Sequence, residues 1–134
     1  MTALLLTTLL GGPARATSLS FPCAVDYNAT TWDTGVSVDM ALHNFKVVAL
    51  GPPWYLEFDL PNGQRITETW NGNWSVPGDG SVTVANPVYH PSIPWGTTFN
   101  LGFNATLDGP YANATNFRFQ DVGCEVNYTV TVIS

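Results

Sequence analysis

Charge is what this sequence has least of. Of 134 residues, ten are acidic and four basic, giving a net charge of −6. Charged residues make up 10% of the chain, against the usual quarter. So few basic side chains argue against nucleic acid as a partner, because phosphate neutralisation supplies most of that affinity. They equally disfavour anionic lipid surfaces. The two histidines, His43 and His90, have no cysteine or carboxylate at metal-ligand spacing. There is no Gly-x-Ser-x-Gly elbow and no glycine-rich phosphate loop. No cofactor and no catalytic residue are therefore expected. Helices are lacking too. No window beyond the first sixteen residues shows an i, i+3, i+4, i+7 apolar stripe, and ten prolines and twelve glycines interrupt any candidate.

The first sixteen residues read as a secretory signal. An apolar run from Ala3 to Leu10 is broken by Gly11-Gly12-Pro13, and Ala14-Arg15-Ala16 supplies a small-x-small cleavage pattern. The run is too short for a transmembrane helix, and no later stretch could span a membrane. Residues 17–134 then form one domain, large enough to bury a core. Secretion gives the two cysteines a meaning. Cys23 and Cys124 stand near opposite ends of the mature chain, and an even pair in an oxidising compartment reads as a disulfide, two unrelated buried thiols being the alternative. Five Asn-x-Ser/Thr sequons, at Asn28, Asn73, Asn104, Asn113 and Asn127, are possible glycosylation sites at outward, loop-edge positions if the host glycosylates.

What the chain has in quantity is period-two alternation. Trp54, Leu56, Phe58 and Leu60 fall on one side of a strand, with Tyr55, Glu57 and Asp59 on the other. Pro61-Asn62-Gly63 breaks the pattern with turn chemistry, and Gln64 to Trp70 follows, so the stretch reads as a hairpin. Further strands are read at Cys23–Asn28, Val36–His43, Phe45–Leu50, Ser81–Ala85, Thr97–Asn104, Asn116–Gln120 and Tyr128–Ile133. Eight or nine short strands separated by turns predict an all-β, antiparallel β-sandwich of immunoglobulin-like or jelly-roll-like type.

Five Trp, five Tyr and seven Phe are many for so uncharged a chain. Low charge with abundant Asn, Thr and aromatics suits a neutral, hydroxyl-rich ligand. Trp54 is in phase with Leu56 and Phe58 and is assigned to the core. Trp32 lies in a polar turn, Trp70 adjoins Asn71-Gly72-Asn73, and Tyr89 lies between prolines. These three are the candidates for exposure, although strict alternation would put Trp70 on the buried face of Ile66. Its exposure therefore requires a bulge or a strand end. Trp74 is expected half-buried, and Trp95, in phase with Phe99, is expected to pack. The nearest carboxylates, Glu57 and Asp59, lie side by side on an open strand face with no cleft to raise either pKa, so glycoside hydrolysis by that pair is not expected.

These residues resemble a family 2 carbohydrate-binding module from Cys23 to Cys124. The pieces that carry the resemblance are the terminal cysteine pair, WDTG at Trp32, WYLEFDLPNGQRITETWN from Trp54, and VTVANPVYHPSIPWGTTFNLGF. The resemblance implies a β-sandwich whose cellulose-binding branch carries three exposed aromatics on one flat face, at the positions of Trp32, Trp70 and Tyr89, with Trp54 as its buried tryptophan. In the xylan-binding branch an Arg shortly after the first Trp rotates that ring. The matching position here is Gly35, which favours the flat arrangement. Tyr89 in place of Trp, Trp95 in a turn usually held by a small residue, Val36 where an aromatic often stands, and ten residues beyond Cys124 are departures from the pattern.

The reading that follows is a secreted, monomeric, non-catalytic module. It stacks a planar strip of Trp32, Trp70 and Tyr89 on cellulose or another insoluble β-linked glycan. Aromatics two strands apart would lie about 10 Å apart. Asn71 and Asn86 are candidates for additional hydrogen bonds to the sugar. Two alternatives stand beside this reading: a piece of a secreted glycoside hydrolase, or a structural or adhesive extracellular glycoprotein of the same fold.

Overall fold

The computed structural model describes residues 21–45 and 53–133. The signal expected over 1–16 and most of the strand expected at Phe45–Leu50 lie outside these residues; Phe45 itself is a bend at the end of a strand. Ten strands run in chain order: β1 (Cys23–Trp32), β2 (Gly35–Asn44), β3 (Tyr55–Asp59), β4 (Gln64–Trp70), β5 (Asn73–Ser75), β6 (Ser81–Ala85), β7 (Thr98–Leu107), β8 (Thr115–Phe119), β9 (Val122–Gly123) and β10 (Glu125–Val132). They form two five-stranded sheets, ordered β10-β1-β2-β7-β4 and β5-β6-β3-β8-β9. The architecture is the expected β-sandwich. All pairings are antiparallel except β1 with β10.

Alternation decides what each strand buries. In β2, Val36, Val38, Met40 and Leu42 point inward; in β7, Phe99, Leu101, Phe103 and Ala105 do so. From the second sheet come Leu56 and Phe58 of β3, Val82 and Val84 of β6, and Phe117 and Phe119 of β8. Trp54 lies at the centre, fully buried, with its ring edge-on to Phe99 at 5.1 Å and to Phe119 at 6.0 Å. Its indole N–H donates to the His90 carbonyl at 3.1 Å, so burial leaves no orphaned donor.

The expected hairpin of β3 with β4 does not form. β3 pairs with β6 on one side and β8 on the other, which leaves β4 no free edge there. β4 joins the opposite sheet beside β7. The turn at Pro61-Asn62-Gly63 is still a turn, with Gly63 at φ 85°, but it carries the chain between sheets. Asp108 N–H donates to the Gly63 carbonyl at 2.7 Å, fastening the crossover to the end of β7 and delivering β4 to that strand.

Cys23 and Cys124 are bridged, with Cα atoms 4.8 Å apart across a sequence separation of 101. Cys124 sits between β9 of one sheet and β10 of the other, so the bridge fixes the place where the chain crosses back. The residues beyond it form β10 alongside β1, where Tyr128 packs edge-on to the buried Tyr27 at 5.2 Å. Tyr27 shares a 2.7 Å hydroxyl–hydroxyl hydrogen bond with Tyr111. Burial pushes the Tyr27 and Tyr111 phenols well above their ordinary pKa, keeping both neutral.

Candidate functional site

The outward face of the first sheet carries the aromatics in question. Trp32 ends β1 directly opposite Gly35 of β2, and its indole lies across that glycine. A Cβ added at Gly35 would stand 2.9 Å from Trp32 Cζ2. Trp70 ends β4 directly opposite Gly102 of β7, and its six-membered ring lies against Gly102 in the same way. An outward side chain on either glycine would lift the ring off the sheet. Each indole is therefore in close contact with the backbone at its glycine. Trp32 is 39% exposed and Trp70 half-buried.

The bulge that Trp70 needs is present. Ile66 pairs with Ala105 and Glu68 with Asn104, so β4 advances two residues where β7 advances one. One extra residue reverses the phase of a strand. Ile66 before the bulge packs against the core, while Glu68 and Trp70 after it face out with Asn104 and Gly102.

Tyr89, 67% exposed, is tied to the same face through one side chain. Its hydroxyl donates to Asn71 Oδ1 at 2.9 Å, and Asn71 Nδ2 donates to the Asn100 carbonyl of β7 at 2.8 Å. Asn71 adopts φ 60°, turning the chain directly after Trp70. Its own carbonyl accepts the Trp74 indole N–H at 2.9 Å. Both ends of the Asn71 amide are thus engaged within the fold, and Asn86 is engaged through its Oδ1, which accepts from Trp54 N–H at 3.1 Å. Asn71 is a prop for the phenol.

β7 is consequently the spine of the site. Gly35 pairs with Thr106, Trp70 with Gly102, and Tyr89 reaches Asn100 through Asn71. The glycine floors of the two indoles are four residues apart along β7 (106 − 102), roughly 14 Å at ~3.4 Å per residue. That exceeds the ~10 Å expected for aromatics two strands apart, because the two floors, on the adjacent strands β2 and β7, are offset by four residues along the sheet.

Two other aromatics were expected to be at least partly buried. Trp74 is half-buried as expected, edge-on to Phe103 at 5.9 Å and Phe58 at 6.1 Å. Trp95 does not pack: it is 64% exposed. β7 begins only at Thr98, and Trp95 lies in a turn closed by Thr97 N–H to the Pro94 carbonyl at 3.1 Å, with Gly96 at φ 76°. The phase of Phe99 does not extend through that turn.

The sequons are mostly not at loop edges. Asn28, Asn104 and Asn127 lie within strands and Asn73 begins one; only Asn113 lies in a loop. The cause is periodicity, since a strand that exposes Asn and Thr on its outward face reads Asn-x-Thr automatically. Asn28 and Asn104 stand on the face that carries Trp32 and Trp70. Asn104, between the two glycine floors, donates from Nδ2 to Glu68 Oε1 at 2.9 Å.

Titratable chemistry is sparse. Glu57 is 3.6 Å from Arg118 Nε, and Asp59 accepts from Asn116 Nδ2 at 3.1 Å. A cleft of about 940 Å³ beside the β3–β4 crossover is lined by Asp79 and Asp108. Hydrogen bonds from the Ser81 hydroxyl and N–H hold the Asp79 carboxyl below its usual range, the opposite of what a general acid needs. His43, which showed no local partner in sequence, gains one across strands. Its Nε2 lies 2.8 Å from Asp26 Oδ2 and its Nδ1 2.8 Å from Thr98 Oγ1. The His43 hydrogen bond is the main reason the Asp26 carboxyl titrates below its ordinary value. This row lies on an open strand face. Among the described residues, no group of three or more His, Cys, Asp or Glu is placed to hold a metal ion.

The family model for the cellulose binding domain matches residues 23–124, from one bridged cysteine to the other. The chain belongs to the cellulose binding domain family. It is a non-catalytic binding module of that family. Among curated relatives, exoglucanase A of Cellulomonas fimi is 31% identical over 102 residues, covering 76% of this chain and 12% of the relative. The chain thus spans about a tenth of that enzyme's length. Among solved structures, a cellulose-binding family 2 carbohydrate binding domain aligns at TM-score 0.57 and 22% identity, covering 78% of this chain and 98% of the other. A chitin-binding domain from Streptomyces coelicolor aligns at TM-score 0.59 and 22% identity, covering 76% and 93%. At these identities the two structures bear on the fold alone. It is the sandwich of the cellulose binding domain family.

Proposed function

We propose that this module binds an insoluble β-1,4-linked polysaccharide by stacking Trp32, Trp70 and Tyr89 on the apolar faces of its sugar rings. A β-linked glucose ring carries its hydroxyls equatorially, so its two faces present C–H groups. An aromatic ring laid against such a face removes apolar area from water, and by analogy with bases stacked on aromatics each contact contributes about 1–3 kcal/mol. One observation supports the reading: both indoles lie against a cross-strand glycine on the outward face of the first sheet, and a β-bulge turns Trp70 to that face. Rings held before binding lose little freedom on contact, which favours an ordered surface over a flexible soluble chain.

Chitin is the second reading, because a chitin-binding domain shares the fold and N-acetylglucosamine rings present the same C–H faces. Adsorption of the full chain to microcrystalline cellulose, crystalline chitin and insoluble xylan separates these ligands. Retention on cellulose supports the first reading and retention on chitin alone the second. Retention on xylan alone contradicts both, because Gly35 favours the flat arrangement. The module acts as a secreted monomer without a cofactor, its disulfide suiting an oxidising compartment. A glycan on Asn104 would stand between Trp32 and Trp70, so the binding form carries none there.

A further inference from the structure

We propose a second stacking site, formed by Phe45 and Trp95 where β2 ends, that takes the C–H face of a pyranose ring in the same insoluble polysaccharide. This inference rests on the polysaccharide reading above and adds a contact at residues outside the three-ring strip. Gly96 N–H donates to the Asn44 carbonyl at 2.6 Å. Trp95 and Phe45 are the chain neighbours of those two bonded groups, so a single hydrogen bond brings their backbones together. Both are exposed, Trp95 at 64% and Phe45 at 48%.

The platform is rigid for reasons independent of its rings. Asn44 is fully buried, its Nδ2 donating to the Ile93 carbonyl at 2.6 Å and its N–H to the Thr97 carbonyl at 3.1 Å. Phe45 N–H donates to the Pro22 carbonyl at 2.9 Å. The Phe45 ring lies parallel to that of His43, with 4° between their planes, and His43 is clamped between Asp26 and Thr98. Two large aromatics held in fixed positions and left in water mark a contact surface.

Position supports the same ligand. His43 pairs with Thr98 of β7, four residues beyond Gly102 (102 − 98), as Gly102 is four beyond Thr106 (106 − 102). Phe45 is two residues further on, so the platform continues the axis of the strip about six residues beyond Gly102, roughly 20 Å at ~3.4 Å per residue. Two aromatic rings fit the C–H face of a sugar better than an ionic partner, and among the described residues the Asp26 carboxylate beside His43 is engaged by that histidine.

The test compares four forms of the full chain: wild type, Phe45→Ala/Trp95→Ala, Trp32→Ala/Trp70→Ala/Tyr89→Ala, and the combination of all five. Adsorption isotherms are measured on microcrystalline cellulose and crystalline chitin, with thermal melting alongside. The Phe45/Trp95 variant is expected to bind roughly fivefold or more weakly than wild type on the substrate that wild type binds. A single Trp95→Gln variant, which leaves the Phe45–His43 stack in place, should show part of the same loss with an unchanged melting temperature. Wild-type adsorption by the Phe45/Trp95 and Trp95→Gln variants overturns the second site, while loss in the strip variant leaves the strip standing. Wild-type adsorption by the strip variant, with loss in the Phe45/Trp95 variant, overturns the strip and leaves the platform.

Discussion

Trp54 and Trp70 carry the same ring in opposite roles, and the difference is set by what lies next to each. Trp54 has Phe99 and Phe119 edge-on and a carbonyl for its N–H; Trp70 has a glycine against its ring and is half-buried. Trp54→Ala should cost about 3–5 kcal/mol in chemical denaturation, whereas Trp70→Ala should leave the denaturation midpoint nearly unchanged and weaken adsorption. Unfolding by Trp70→Ala would contradict the account of that ring. Gly35→Ala tests the floor rather than the ring. The added methyl would meet Trp32 Cζ2 at 2.9 Å and tilt the indole, so adsorption should weaken severalfold while circular dichroism stays that of the wild type. The burial of Trp54 was legible because it shares a phase with Leu56 and Phe58. For Trp70 the neighbouring Asn71-Gly72-Asn73 pointed to exposure, but the bulge it requires was not legible, because it falls among Ile66, Thr67 and Glu68, where no glycine or proline marks it. Trp95 misled because a phase was carried across a turn that ends it.

At the scale of elements, the strands were legible and their partners were not. The alternation in β3 states which side chains it buries, and that in β4 does so only up to its bulge, yet nothing in Pro61-Asn62-Gly63 distinguishes a hairpin turn from a crossover between sheets. That choice depends on β6 and β8 occupying both edges of β3, and on Asp108 holding Gly63 at the end of β7. Periodicity also explains the sequons better than modification does, since Asn28 with Thr30 and Asn104 with Thr106 are outward neighbours on their strands. The disulfide belongs to this scale, tying β1 to the crossover between β9 and β10. Cys23→Ser/Cys124→Ser should lose about 2–5 kcal/mol of stability in denaturant titration while retaining the adsorption constant at temperatures where it stays folded. A loss of adsorption by the folded double variant would mean that the bridge shapes the face itself.

At the scale of the molecule, one strand, β7, organises the outward face of the first sheet, whose charged side chains include Asp26, Asp39 and Glu68. The Asp26–His43 pair on that face gives the fold a definite acid response. The folded Asp26 pKa is depressed, mainly by the His43 hydrogen bond and also by that from Asn127, so its contribution is present above the unfolded value of about 3.9. It is lost as pH falls through the folded value. The melting temperature of Asp26→Asn should therefore lie below that of wild type at neutral pH, and the gap should close as pH falls below about 4. A gap that is constant with pH would show that the pair contributes nothing through ionisation. Because the strip is built from neutral rings, adsorption should be insensitive to chelators and only weakly dependent on salt. The most direct measurement is the adsorption isotherm of Trp32→Ala/Trp70→Ala/Tyr89→Ala on microcrystalline cellulose, beside wild type and at matched folding by circular dichroism. Adsorption that collapses while the fold persists is the predicted result, and undiminished adsorption by the folded triple variant would contradict the aromatic strip.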